Sequence, residues 1–160
     1  MTIRNDYKSP LIMERIYIAK SSFSRTSDSI DELELGVRVK RDLKILEKQH
    51  YQLELTILIG DENKKLEVSA TCVAIFETET EQQILVERNA VAIVFPYLRS
   101  YISTITTQPD MAPIVLPPMN IMAMLSDESS KNSSIYVKVV FLSDWIERRF
   151  LRSVIFKVFN

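Results

Sequence analysis

YQLELTILIGDENKKLEVSATCVAIF (residues 51–76) decides the fold. In its first half Tyr51, Leu53, Leu55, Ile57 and Ile59 alternate with Gln52, Glu54 and Thr56. In its second half Leu66, Val68, Ala70, Cys72, Ala74 and Phe76 keep the same step. A period of two places alternate side chains on opposite faces of a strand, so each half predicts a strand with one apolar face. Between them GDENKK supplies Gly60, Asp61 and Asn63, the residue types that turn a chain.

The pattern extends towards the N-terminus. Residues 35–46 set Leu35, Val37, Val39, Leu43 and Ile45 against Arg38, Lys40, Asp42 and Lys44. Residues 12–18 predict a strand with Ile12, Ile16 and Ile18 on one face and Met13, Arg15 and Tyr17 on the other; the polar SSFSRTSDSIDELE then breaks it. Four strands with short connections predict an antiparallel sheet whose second face is largely polar until Val73 and Ile75. After residue 78 the period changes. One helix is expected to start near Thr80 and another after Asn89, a residue suited to capping. Val91, Val94, Phe95, Leu98, Ile102 and Ile105 follow helical spacing, and Pro96 should kink that helix. Further on, SDESSKNSS (126–134) reads as a linker and IYVKVVFL (135–142) as a short strand. A basic amphipathic helix is then expected through Trp145, Ile146, Phe150, Leu151, Val154, Ile155 and Val158. The fold class is α+β: a four-stranded antiparallel sheet with a long helix and a second, C-terminal helix packed on one face. Residues 1–125 form the domain, and 126–160 a linker and C-terminal extension that either completes the core, lies on a membrane surface or docks a partner.

Composition narrows the function. A chain of 160 residues with 26 % charged residues and a net charge of −1 fits one globular domain and gives no argument for a nucleic-acid partner. One cysteine, Cys72, excludes an intrachain disulfide and a multi-cysteine zinc site. The N-terminal MTIRNDYKSP lacks the apolar core of a signal peptide and no run reaches membrane-spanning length, so a cytoplasmic protein is expected. Gly36 and Gly60 are the only glycines, which leaves no phosphate-cradling loop. His50 is the only histidine, so a histidine-based metal cluster is not expected within one chain. The acids of DSIDELE (28–34) read as a solvated loop, and no nucleophile–base–acid set emerges from spacing. Neither an enzyme nor a cofactor or metal site is expected.

One stretch remains unusual. Between residues 109 and 125 four prolines (Pro109, Pro113, Pro117, Pro118) interleave with Met111, Ile114, Val115, Leu116, Met119, Ile121, Met122 and Met124. Proline fixes φ and removes a donor, so the segment predicts an extended loop that is nonetheless apolar. Methionine side chains are unbranched and polarizable and suit adaptable contact surfaces. Such a loop either walls a groove for apolar segments of other chains or packs over its own core.

Four stretches in order resemble the SecB export-chaperone family over residues 11–125. RIYIAKSSF (15–23) is similar to the family's first-strand pattern, the next three strands have similar lengths, and FPYLRSYIS (95–103) looks like the motif opening its long helix. MAPIVLPPMNIMAML (111–125) is similar to its connecting loop. The resemblance implies ATP-independent holding of non-native polypeptide clients by dimers or tetramers. It implies a client groove of Met111, Ile114, Leu116, Met119, Ile121 and Met122 with Phe23 and Phe76 as aromatic floor, and places Val68, Ala70 and Cys72 at an interface between protomers. Family members meet the motor SecA through an acidic sheet face; here Lys20, Ser24 and Ser69 stand at such positions, which argues against that partner, and the resemblance leaves both pre-export polypeptides and one dedicated client, such as an antitoxin, as the clients implied. The competing expectations from the same oily residues are a carrier of a small apolar ligand or lipid, and a structural subunit buried against a partner.

Overall fold

The computed structural model describes residues 11–26, 33–47, 49–79, 82–109, 111–116, 118 and 132–136. They form β1 (Leu11–Arg25), β2 (Gly36–Glu47), β3 (His50–Gly60), β4 (Leu66–Thr78), α1 (Gln83–Ile105) and β5 (Asn132–Tyr136). The sheet is antiparallel throughout, in the order β1-β4-β3-β2-β5. β1 pairs with β4, so the connection from β1 to β2 crosses from one side of the sheet to the other.

β3 and β4 follow the expected alternation residue for residue. Tyr51, Leu53, Leu55, Ile57 and Ile59 are buried beside Phe76, Ala74, Cys72, Ala70 and Val68, their register partners. The turn between them is closed by Asp61, whose carboxylate accepts from the N–H of Asn63 at 2.9 Å and of Leu66 at 2.8 Å. That is the local competition for backbone donors that makes aspartate a turn residue.

β1 departs from its expected pattern. It runs to Arg25, through the serines expected to break it, and register shifts fall between Met13 and Arg15 and between Ile18 and Lys20. Each shift inserts one residue into β1, and a bulge reverses which side chains face the core. Met13 therefore joins Ile16 and Ile18 against the core, while Ile12 turns to the opposite face and stays 46 % exposed. β2 keeps Val37 and Val39 buried, but Ile45, expected inside, is 60 % exposed near the register shift that ends the strand.

A single helix replaces the two expected. α1 runs unbroken through Asn89, which is exposed on its surface and caps nothing. Val86, Ala90, Val91, Val94, Phe95, Leu98 and Ile102 face the sheet, the stripe that helical spacing requires. Pro96 lies inside the helix on its exposed side, where the carbonyl that loses its donor can reach water. Arg41 Nε meets Glu87 Oε1 at 2.7 Å and ties β2 to the first half of α1.

α1 does not cover the sheet alone. Leu33 and Leu35 before β2, and Ile114 and Leu116 after α1, complete one core. β5 adds a fifth strand, pairing Asn132–Tyr136 with residues 36–40 at the β2 edge; it takes in the end of the expected linker and the first two residues, Ile135 and Tyr136, of the expected short strand. The expected C-terminal helix, residues 143–158, lies outside the described residues; α1 is the one helix among them. That helix is not long and apolar enough to cross a membrane.

Candidate functional site

The end of α1 is built to hold the proline-rich loop. A helix leaves its last carbonyls without intrahelical partners, and prolines supply few N–H groups to meet them. Hydroxyl side chains fill the gap. Thr106 Oγ1 donates to Ile102 O at 2.7 Å and accepts from the Ile114 N–H at 2.9 Å, with Thr106 fully buried. Ser103 Oγ donates to Ile114 O at 2.9 Å. Both backbone polar groups of Ile114 are thus satisfied by α1, which permits burial of a loop residue. Thr107 Oγ1 and Gln108 Nε2 donate to Ser103 O and Ile105 O.

β1 flanks the same end. Ser21 Oγ and Tyr101 OH are 2.8 Å apart, and Arg25 Nη1 donates to Pro109 O at 3.2 Å. Phe23 lies between these two links on the same face of β1, paired with Val68. Phe23, Tyr101, Ile105 and Met111 are only partly buried, each packed against the core while keeping surface outside. They form an apolar rim around the end of α1 and the start of the loop. Val115 turns outward and is 46 % exposed, and the adjoining Ala112, Pro113 and Pro118 are exposed too.

The expected groove residues divide accordingly. Phe23 and Met111 belong to the rim. Phe76, Ile114 and Leu116 do not: they are at most 1 % exposed, and a side chain with no accessible surface has no area to give a client. The hydroxyl clamp on Ile114 holds that part of the loop in the core, whereas Phe76 lies towards the other end of β4, paired with Met13 and Tyr51. Met119, Ile121 and Met122 lie outside the described residues. Tyr101 and Ile105 enter the rim in their place. Ile105 carried a signal as the last member of the helical stripe, and Tyr101 adjoins that stripe one position before Ile102.

Val68, Ala70 and Cys72, expected between protomers, are placed in the core of the single chain. They stand on the helix-covered face, at most 2 % exposed, and pack inside the chain. Outward-facing apolar residues include Ile84, Leu85 and Tyr97 on α1, besides Ile12 and Tyr17 on β1 and Ile45 and Leu46 on β2. Burial pushes the Cys72 thiol up from 9.0 to about 11, against the lowering effect of a backbone hydrogen bond at Tyr17. A thiol so placed should resist alkylation at pH 8 until the chain unfolds, as a timed iodoacetamide reaction with and without urea would show. Because the folded pKa is the higher one, this group's contribution to stability is complete below pH 9 and declines as pH rises to about 11.

The opposite sheet face is mixed in charge. Lys20, Ser24 and Ser69 pair with Thr71, Glu67 and Ser22 there, and the Arg15 guanidinium lies 4.9 Å from the Tyr17 ring centre. Thr56 and Thr71, register partners, share a hydrogen bond of 2.9 Å.

Comparison with known proteins agrees with this frame. The SecB family, described as preprotein translocase subunit SecB, matches residues 4–132. An uncharacterized protein of Methanocaldococcus jannaschii, MJ0357, is 49 % identical over 41 residues, which span 26 % of this chain and 26 % of that protein. Among solved structures, the Mycobacterium tuberculosis Rv1957 SecB-like chaperone, in complex with a ChAD peptide from the Rv1956 HigA1 antitoxin, superposes with a TM-score of 0.57 at 9 % identity. The overlap covers 69 % of this chain and 90 % of that one.

Proposed function

We propose that this chain, which belongs to the SecB family, is a molecular chaperone that holds apolar segments of non-native polypeptide without nucleotide. The observation that carries the reading is the rim of Phe23, Tyr101, Ile105 and Met111, partly buried around a loop whose backbone α1 fixes. A fixed rim loses little entropy on binding, and apolar contact is worth roughly 25 cal/mol per Å² before ordering costs. Such contact depends on area rather than on a particular sequence, which gives loose selectivity. Met119, Ile121 and Met122, next along the loop, extend the surface in this reading.

A dedicated client, such as an aggregation-prone antitoxin, fits better than delivery to SecA. The structural neighbour binds an antitoxin peptide, and the sheet face opposite α1 carries Lys20, Ser24 and Ser69 where a SecA contact would need acids. Self-association is part of the proposal: Ile84, Leu85 and Tyr97 leave α1 with apolar surface that a second copy would cover, giving a dimer or tetramer. Size-exclusion chromatography with light scattering should show an assembly larger than one chain, reduced by Tyr97→Asp.

Native mass spectrometry of the purified protein tests the client class. Co-purified peptides or one recurrent protein support the chaperone reading. A stoichiometric lipid would replace it with that of a carrier.

A further inference from the structure

Outside the loop region, one corner of the sheet gathers a second set of chemistry-bearing side chains. We propose that Glu14, His50 and Glu77 form a binding site for a divalent transition-metal ion of the zinc type. Each offers one ligand atom, and these atoms all lie within 4.8 Å of one another. His50 Nε2 and Glu14 Oε1 are already 3.7 Å apart.

Three independent features of the backbone converge here. Glu14 is the residue inserted by the first β1 bulge, between the pairs Met13–Phe76 and Arg15–Ile75, and it projects away from the core. Glu77 is the register partner of both Ile12 on β1 and His50 on β3. His50 is set by the tight turn that pairs it with Glu47, where Gln49 takes a left-handed φ of 72° and its carbonyl accepts from Thr78 N–H at 2.9 Å. Three strands therefore fix the three ligands, which removes most of the ordering cost of assembling a site.

Among the described residues the charge balance favours a cation. Two carboxylates face one imidazole, and Arg15, the nearest basic residue along β1, is stacked on Tyr17. Among the described residues Glu77 has no ion pair or side-chain hydrogen bond. One nitrogen and two carboxylate oxygens are a donor set that zinc accepts, with water in the fourth position. Ligand atoms around a tetrahedral zinc lie about 3.4 Å apart, so the set has to contract; the two glutamates are not fully buried and can rotate inward without moving the strands.

His50 is the only histidine, so its imidazole gives one NMR signal that reports on this corner alone. Zinc sulfate added to the full chain near neutral pH should move that signal saturably, with one ion per chain. The doubly substituted Glu14→Gln, Glu77→Gln protein should bind more weakly by at least the about tenfold that loss of even an outer-shell partner costs. An imidazole signal unmoved by excess zinc would overturn the proposal, even if calorimetry detected zinc elsewhere. Equal affinity in the glutamine variant would overturn it as well.

Discussion

Cutting Ile114 back to alanine is expected to remove about 2–5 kcal/mol of folding free energy. In a chain of this size that corresponds to a fall in melting temperature of roughly 2–4 °C for each kcal/mol. The size of the effect follows from the complete burial of a loop side chain in the same core as α1 and the sheet. Thr106→Val tests the companion half of the arrangement. It keeps the shape of the side chain but removes the acceptor of the Ile114 N–H, leaving a buried donor unpaired at a cost of about 1–3 kcal/mol. Because the two residues share one network, the double variant should lose less than the sum of the single losses. Urea denaturation of the four proteins gives the cycle directly. A loss well under 1 kcal/mol for Ile114→Ala would place the side chain in the groove, as the family resemblance implies, and not in the core.

The second large effect is on binding. Phe23→Asp combined with Met111→Asp should weaken capture of an unfolded client by tenfold or more, equivalent to about 1.4 kcal/mol. Burying a phenylalanine or methionine side chain fully is worth about 1.5–3 kcal/mol, and a client can cover only the part these residues leave outside. Two charges in an apolar rim also bring their own desolvation cost. The fold should tolerate the change better than Ile114→Ala, since both side chains already keep part of their surface outside the core. Fluorescence anisotropy of a labelled, chemically unfolded model protein would separate the two outcomes. Reduced affinity with a retained cooperative transition supports the rim, and unchanged affinity moves the binding surface elsewhere.

These expectations show what periodicity carries and what it does not. β3 and β4 were legible to the residue because both strands alternate without interruption and face one covered side. The α1 stripe from Val91 to Ile102 was equally plain. β1 was not, because nothing local in MERIYIAKSS marks the insertions at Glu14 and Ala19, and one inserted residue exchanges inside for outside. Asn89 misled because asparagine favours helix starts yet is also tolerated on an exposed helix surface. The loop offered Ile114, Val115 and Leu116 in succession, and its prolines erase any period that would say which faces in. That choice is made by Ser103 and Thr106, hydroxyls on another element. Of β5, Ile135 and Tyr136 were legible as strand formers, while Asn132, Ser133 and Ser134 have little strand preference and join through pairing with the edge of β2. The cluster of Glu14, His50 and Glu77 was invisible for a related reason, since only strand pairing brings these distant residues together.

Light scattering from a chemically denatured model protein, diluted into buffer with and without this chain and with no nucleotide present, bears most directly on whether apolar surface at the end of α1 captures foreign polypeptide. The account predicts that scattering falls in proportion to added chain and returns when Phe23 and Met111 carry aspartate. Scattering that rises equally with and without the chain, under conditions where the chain itself remains folded, would contradict it.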